Sequence, residues 1–157
     1  MLQKVVTNKA KLAKGHRIAI VASRYNSKYV DSMLRAAKKE LAQSQVSIEI
    51  VRVPGAFEIP TVASALALRL SKPVEAIICL GVIIRGKTTH AEHIGNSVTN
   101  ALMQLQVDHV LPVVHEVLLL ENIEQARQRC LDGSCNRGLE AARTAIEMVR
   151  IMGRLTA

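Results

Sequence analysis

The chain has 157 residues, an apolar fraction of 49% and a formal net charge of +8. This is the length of one domain with a sizeable core, and so much apolar character excludes an intrinsically disordered chain. We therefore expect a single domain over residues 1–157, with a basic tail over residues 1–15. No apolar run is long enough to cross a membrane and no signal peptide is recognisable, so we expect no membrane partner.

The cysteine content argues against both a disulfide framework and a metal site. Cys79, Cys130 and Cys135 are odd in number, and they lack the Cys-x-x-Cys and His spacing of a zinc site. Free thiols are typical of a reducing compartment, which predicts a cytoplasmic protein. Aromatic residues are scarce, with two Tyr, one Phe and no Trp, and this argues against stacking on single-stranded nucleic acid.

The first half of the chain contains two predicted strand–helix units. Arg17–Ala22 has the composition of a buried strand, and Asn26 is a potential N-cap for the helix that follows. Ser47–Val53 is predicted to be the second strand. The second helix has Pro60 in its first turn, where proline is tolerated.

The second half continues the alternation. Ala76–Ile84 is the most apolar run and is predicted to be the third strand, followed by a helix from about His90 to Gln106. Val110–Val117 is predicted to be the fourth strand, and Pro112 suggests an edge position for it. Two further predicted helices close the chain, near Glu121–Cys130 and Asn136–Met152.

This alternation predicts an α/β fold. Four strands, each followed by a helix, favour a mainly parallel four-stranded sheet with helices on both faces, a flavodoxin-like three-layer α/β/α sandwich. In such folds ligands bind outside the carboxyl ends of the strands. Polar, aromatic and glycine residues gather there: Ser23–Asn26, Pro54–Pro60, Arg85–His90 and, at the end of the fourth predicted strand, His115–Glu116.

The segment after the third strand is the richest in functional residue types. Thr89 and Glu92 fit a capping box at the start of the third helix. Gly86–Thr88 would then precede a helix N-terminus, where free N–H groups and the helix dipole favour an anion. His90 would lie in the first helical turn, where the dipole opposes a second positive charge and favours the neutral, proton-accepting imidazole.

Two alternative functions follow from the same segments. Gly81–Thr88 reads GVIIRGKT and fits the P-loop pattern of nucleotide-binding enzymes. The β-branched residues Val82–Ile84 favour a continued strand over a phosphate loop, and no later strand ends in an Asp that would hold magnesium. The second alternative is a non-catalytic flavin-binding module.

Four clusters of residues resemble motifs of the lumazine synthase family, and they occur in the family's order over residues 17 to 150. The clusters are Arg24–Asn26, Val53–Pro60, Gly81–His90, and Glu124–Ala126 with Arg129 followed by Asn136–Ala142. The resemblance implies an enzyme of riboflavin biosynthesis. Its reaction joins 5-amino-6-(D-ribitylamino)uracil to 3,4-dihydroxy-2-butanone 4-phosphate, giving 6,7-dimethyl-8-ribityllumazine, phosphate and water, and it implies no metal and no organic cofactor.

The resemblance also implies roles for individual residues. His90 matches the proton-transfer histidine, Arg129 the arginine that pairs with the butanone phosphate, and Tyr25 the aromatic residue that stacks on the pyrimidine. A core position for the Phe57 ring stays an alternative to a place in the site. The other matches are Gly86, Lys87 and Thr88 at the phosphate, Ala56, Phe57 and Glu58 on the ribityl side, and Val82, Ile83 and Ile84 against the ring.

Three segments depart from the family pattern. Many relatives have Phe-Asp/Glu-Tyr where this chain has Ala91–His93, and Phe-Gly where it has His115–Glu116. The usual Thr-rich run is replaced by Leu118–Leu120. The departures affect the pyrimidine pocket, where the imidazole of His115 is expected to cover the ring, and they leave the phosphate and proton-transfer groups in place.

The resemblance further implies assembly. Family members form homopentamers with sites shared between neighbours, and some form a 60-subunit shell; riboflavin synthase is a further partner that the resemblance suggests. The short step from Arg129 to Asn136 looks like that of shell-forming relatives. A leucine run, Leu118–Leu120, directly after an edge strand would be costly to leave in water, which also favours assembly.

Overall fold

A computed structural model describes residues 11, 12 and 14–156. Most of the expected basic tail, residues 1–10, lies outside the described residues. The strands are β1 (Arg17–Ser23), β2 (Ser47–Val53), β3 (Ala76–Ile84) and β4 (Val113–Leu120). The helices are α1 (Ser27–Ala42), α2 (Ile59–Leu68), α3 (His90–His109), α4 (Ile123–Cys130) and α5 (Arg137–Leu155).

The four described strands form one parallel sheet in the order β2-β1-β3-β4. Helices α1, α4 and α5 pack on one face, and α2 and α3 pack on the other. In β1, Ile18 and Ile20 join the first of these cores, whereas Ala19 and Val21 join the second. Because both faces of the sheet are covered, β3 is apolar throughout and β1 is apolar between Arg17 and Ser23 at its ends. The predicted three-layer α/β/α sandwich is confirmed.

The close contact between α1 and α5 depends on a glycine. A Cβ added at Gly138 would lie 2.0 Å from the backbone oxygen of Met33. Side chains larger than hydrogen are therefore excluded where the first turn of α5 crosses α1. None of the helices in the described part of the chain has the length and apolar character needed to span a membrane.

The predicted bounds of the fourth strand were wrong by three residues at each end. Val110 ends α3 in a left-handed conformation with φ 49°, so the strand cannot begin there. Instead, β4 runs from Val113 to Leu120, and its last three residues pair with Val82–Ile84. The edge position is confirmed, with Pro112 just before the strand.

This shift corrects two further expectations. His115 and Glu116 lie in the middle of β4, opposite Cys79 and Leu80, and not at its carboxyl end. The leucine run belongs to the strand: Leu120 is buried, Leu118 packs on one core and Leu119 on the other. These leucines therefore pack against the cores of their own chain, and they give no reason to expect assembly.

The predicted helix caps were right in position but wrong in chemistry. Asn26 precedes α1 in a left-handed conformation, but its side chain does not cap the helix. Its Nδ2 donates to the carbonyl of Val82 at 2.7 Å instead. The capping box at α3 is absent, because Thr89 makes no side-chain cap and Glu92 pairs with Arg85.

The structure also decides between a strand and a P-loop at residues 81–84. They continue β3, as their β-branched side chains predicted, and pair with β4 up to Ile84. A phosphate-cradling P-loop requires loop conformations at these positions. The geometry therefore gives the P-loop alternative no support.

Candidate active site

A cavity of about 660 Å³ opens at the carboxyl ends of β1, β2 and β3, beside the start of α3. This is the edge where parallel sheets bind ligands. The cavity is lined by Tyr25, Gly55, Ala56, Phe57, Glu58, Val82, Ile83, Ile84, Gly86, Thr88, His90, Ala91, His93, Ile94 and Ser97. Most of the site residues expected from the sequence thus lie around one space.

Two aromatic rings stand open at this cavity. Tyr25 is 73% exposed and Phe57 is 60% exposed. The alternative of a core position for the Phe57 ring is therefore wrong. Large exposed apolar surfaces at a concave site are typical of ligand-binding regions, and flat rings offer a stacking surface to a heterocycle.

Hydrogen bonds fix the segments that carry these rings. Tyr25 N donates to Pro54 O at 3.0 Å, which ties the residues after β1 to those after β2. Gly55 N donates to Glu58 Oε2 at 2.9 Å, which closes the short 3₁₀ turn at Ala56–Glu58. The Glu58 carboxylate is thus held by its own backbone at the rim of the cavity.

The strand end of β3 forms the apolar wall. Val82 and Ile83 are buried, and Ile84 is half-buried. The carbonyl of Val82 accepts the hydrogen bond from Asn26, which locks the end of β3 to the start of α1. This wall is rigid because it belongs to the sheet.

His90 is the first residue of α3, and its exposed side chain lines the cavity. Its backbone N–H donates to Thr88 Oγ1 at 3.4 Å. No described side chain forms a hydrogen bond with its imidazole. The ring is therefore available for proton exchange with a molecule bound in the cavity.

The segment before His90 keeps its backbone donors free. Within the described part of the chain, no hydrogen bond occupies the N–H groups of Gly86, Lys87 or Thr88, and all three residues are exposed. A Cβ added at Gly86 would meet no atom within 4 Å. Free donors beside a helix N-terminus form an environment that suits an anionic group.

Arg85 stands directly before this segment and contacts two carboxylates. Its Nη1 donates to Glu92 Oε1 at 2.6 Å, and its Nε lies 2.8 Å from Glu121 Oε2. Pairing with the carboxylate of Glu92, followed by that of Glu121, raises the pKa of the Arg85 guanidinium. The Nε of Arg85 makes no hydrogen bond to any described residue in this arrangement, so its contact with Glu121 is an ion pair only. Arg85 thereby connects the end of β3 with α3 and with the turn after β4.

Three of the expected site residues lie elsewhere. Of the described residues, Lys87, His115 and Arg129 do not line the cavity. His115 is half-exposed on the edge strand β4, where its Nε2 lies 2.9 Å from Thr99 Oγ1 of α3. Arg129 is in the last turn of α4. Within a single chain, His115 and Arg129 therefore do not lie at the cavity beside His90.

Part of the cavity wall was not among the predicted site residues. Ile94 and Ser97 line it from α3, together with Ala91 and His93, which the sequence marked only as departures from the family pattern. With His90 they follow the spacing of one helix face, which is the signal that could have found them. His93 brings a second exposed imidazole into the cavity.

A buried ion pair between Glu116 and Arg137, behind β4, was also not predicted. Glu116 is 4% exposed, and Arg137 binds it with two hydrogen bonds, Nε to Oε2 at 3.0 Å and Nη2 to Oε1 at 2.9 Å. Arg137 also binds Glu140. Burial raises the pKa of Glu116 to about 7, and it outweighs the lowering effect of Arg137. The residues are 21 positions apart, so no local pattern predicts the pair.

The described residues show no group of three or more His, Cys, Asp or Glu side chains that could hold a metal ion. The buried thiols do not offer nucleophiles either, because burial raises the pKa of both Cys79 and Cys130 to about 12. The chemistry available at the cavity is therefore proton transfer, stacking and anion binding.

Comparison with known proteins agrees with this arrangement. The family described as 6,7-dimethyl-8-ribityllumazine synthase matches residues 15–153. A 6,7-dimethyl-8-ribityllumazine synthase from Stenotrophomonas maltophilia (strain K279a) is 39% identical over 142 residues, which cover 88% of this chain and 90% of the relative. One from Syntrophus aciditrophicus (strain SB) is 39% identical over 154 residues, which cover 96% and 98%. The chain belongs to the 6,7-dimethyl-8-ribityllumazine synthase family.

Proposed function

We propose that this protein condenses 5-amino-6-(D-ribitylamino)uracil with 3,4-dihydroxy-2-butanone 4-phosphate to give 6,7-dimethyl-8-ribityllumazine, phosphate and water. The family supports the reaction. The observation in the structure that carries it is the cavity in which an unpaired imidazole, exposed aromatic rings and free backbone donors meet. No cofactor is needed, because the reaction consists of condensations and an elimination.

His90 is the proposed proton carrier. An amine of the pyrimidine adds to the ketone, and the resulting carbinolamine loses water. Phosphate leaves, and the second nitrogen attacks the remaining carbonyl carbon and closes the ring with loss of a second water. Each of these steps moves a proton, and an imidazole both accepts and donates protons near neutral pH. Its place at the start of α3 puts the imidazole at the cavity, beside the free N–H groups of Gly86 and Thr88.

The cavity divides into two proposed subsites. The phosphate binds the free N–H groups of Gly86 and Thr88, with Lys87 adding positive charge nearby. The pyrimidine stacks on Tyr25. The ribityl and ring contacts come from Ala56, Phe57 and Glu58 on one side and from Val82, Ile83 and Ile84 on the other.

Arg129 and His115 serve the site of a neighbouring subunit in this proposal. They lie outside the cavity of their own chain, on α4 and on the edge strand β4, where a second copy has access to them. We therefore propose a homopentamer with shared sites. A 60-subunit shell, a complex with riboflavin synthase and a cytoplasmic location are extensions of the same proposal. A native mass equal to that of the monomer would refute the shared site.

The assay for the reaction mixes the purified protein with both substrates and follows lumazine fluorescence. Product should form only when both substrates are present. ATP hydrolysis with magnesium serves as the test of the nucleotide-binding alternative. ATP turnover that depends on Lys87, without any lumazine, would overturn the proposed function.

A further inference from the structure

The loop between β3 and α3 is held in an unusual way. Its residues Gly86–Thr88 leave their N–H groups without acceptors among the described residues, so backbone hydrogen bonds do not fix its shape. All three residues are exposed, and a Cβ added at Gly86 would meet no atom within 4 Å. A loop with free donors and few contacts is expected to sample many conformations, which costs affinity when a ligand has to order it.

Both ends of this loop are fixed through Arg85. Its backbone N–H donates to Leu120 O at 2.8 Å and extends the ladder between β3 and β4 by one rung. Its side chain reaches across the loop to Glu92 in the first turn of α3, at 2.6 Å. Arg85 and Glu92 thus close the loop from outside and leave its donors unoccupied.

A second carboxylate fixes the arginine itself. Glu121, in the turn between β4 and α4, lies 2.8 Å from the Nε of Arg85. Glu121 faces the Nε without forming a hydrogen bond, so its charge attracts the guanidinium, while the hydrogen bond with Glu92 sets the direction. The two carboxylates also neutralise the charge of the arginine, so that Arg85 is not an open anion ligand, although it stands one residue before Gly86.

We propose that Arg85, clamped by Glu92 and Glu121, is a positioning residue that pre-forms the loop Gly86–Thr88 to receive the phosphate group of the substrate. The inference rests on the proposed function, because it deepens the role of the same loop. It predicts that loss of Arg85 weakens the binding of phosphate groups and leaves the pyrimidine subsite intact, since that subsite is built on the sheet and on the segments after β1 and β2.

The chain provides a matched control. Arg69 pairs with Glu49 through two hydrogen bonds of 2.9 and 2.8 Å, and its side chain is 28% exposed, close to the 32% of Arg85. This pair joins the end of α2 to β2 and does not line the cavity. Arg69→Met therefore removes a similar ion pair at a distance from the loop.

The experiment compares Arg85→Met, Arg85→Lys and Arg69→Met with the wild type. It measures both KM values in the lumazine assay and inhibition by inorganic phosphate, which reports on the loop without the reaction. For Arg85→Met we expect the KM for the butanone phosphate and the inhibition constant for phosphate to rise together, about 10- to 100-fold, the range for misplaced binding groups. The KM for the pyrimidine should stay unchanged, and Arg85→Lys should lie in between.

Two further variants locate the effect. Glu92→Gln removes the charge from the contact that closes the loop, whereas Glu121→Gln removes only the charge that faces the Nε of Arg85. Glu92→Gln should therefore resemble Arg85→Met more closely than Glu121→Gln does. Urea denaturation verifies that each variant is folded.

The outcomes separate this inference from the proposed function. If Arg85→Met behaves like Arg69→Met, or raises both KM values equally, Arg85 does not position the phosphate loop. If the wild type forms no lumazine, the proposed function fails. The positioning role is then still decided by phosphate binding, measured by titration of the wild type and Arg85→Met with inorganic phosphate.

Discussion

Two clusters of arginine and glutamate lie on different sides of β4, and they differ in what they control. In the cluster of Arg85, Glu92 and Glu121, which we call the open cluster, the three side chains are 32% to 56% exposed. In the cluster of Arg137, Glu116 and Glu140, which we call the buried cluster, the Glu116 side chain is only 5% exposed, and those of Arg137 and Glu140 are 28% and 29% exposed. Exposed ion pairs contribute little to stability, whereas breaking a buried pair is costly.

The two clusters therefore have different roles: one shapes the binding cavity, and the other holds the fold together. The open cluster is next to the cavity and shapes a loop whose donors remain free. The buried cluster fastens the start of α5 to β4, behind the sheet. We therefore expect substitutions near the cavity to change catalysis with a stable fold, and substitutions in the buried cluster to change stability first.

The largest effect should come from the cavity itself. His90→Ala removes the proposed proton carrier, and we expect kcat to fall about 10²- to 10⁴-fold, the range for general acid–base groups. Because His90 is exposed and its imidazole has no described partner, the free energy of unfolding should not change. Lumazine formation and urea denaturation of the same preparation provide both values, and unchanged turnover would remove His90 from the mechanism.

The buried cluster should show the opposite behaviour. Glu116→Ala leaves the guanidinium of Arg137 without its main partner, which we expect to cost about 3 kcal/mol of unfolding free energy, a typical value for breaking a buried pair. Replacing both residues, as in Glu116→Leu with Arg137→Leu, should restore part of this loss, because no charge remains at the buried position of Glu116. Glu140 also loses Arg137 in this variant, but its side chain is 29% exposed and stays in contact with solvent. A single variant as stable as the wild type in urea would show that the pair is not a stabilising contact.

The same cluster should make stability depend on pH. The pKa of Glu116 is about 7 in the folded chain, against an ordinary value of 4.5, so the folded state holds the extra proton between these values. Its stabilising contribution is therefore complete below pH 4.5 and is lost as pH rises to about 7. Between these limits Glu116→Gln should lose less stability with rising pH than the wild type does, as measured by urea denaturation at several pH values. Parallel curves would contradict the raised pKa.

The smallest change in stability belongs to the open cluster. Arg85→Met should cost only about 0–1 kcal/mol of unfolding free energy, because its ion pairs are exposed to solvent. Arg85→Met should therefore lower the free energy of unfolding much less than Glu116→Ala does. A loss from Arg85→Met as large as that from Glu116→Ala would mean that the two clusters do not differ in function.

The sequence predicted the elements and the place of the site, but not the contacts between distant elements. The alternation of strands and helices identified the three-layer sandwich, and the residues after the first three strands line the cavity. Those features depend on local patterns, since β-branched runs and helical spacing can be recognised within one segment.

The features that the sequence did not predict correctly each have a physical reason. The start of β4 was misplaced because Val110 adopts a left-handed conformation, which is rare for a β-branched residue. The capping box at Thr89 failed because Arg85 takes the carboxylate of Glu92. The pair of Glu116 and Arg137 joins elements that are brought together only by the fold. In the last two cases a contact outside the local pattern decided the outcome, whereas at Val110 it was the backbone conformation.

A crystal structure of the protein with 3,4-dihydroxy-2-butanone 4-phosphate would show directly where this substrate binds. We expect the phosphate to bind the N–H groups of Gly86 and Thr88 in the cavity at the carboxyl ends of the strands, with the carbon chain beside His90. Density for the phosphate at another place on the chain, with this cavity empty, would contradict it.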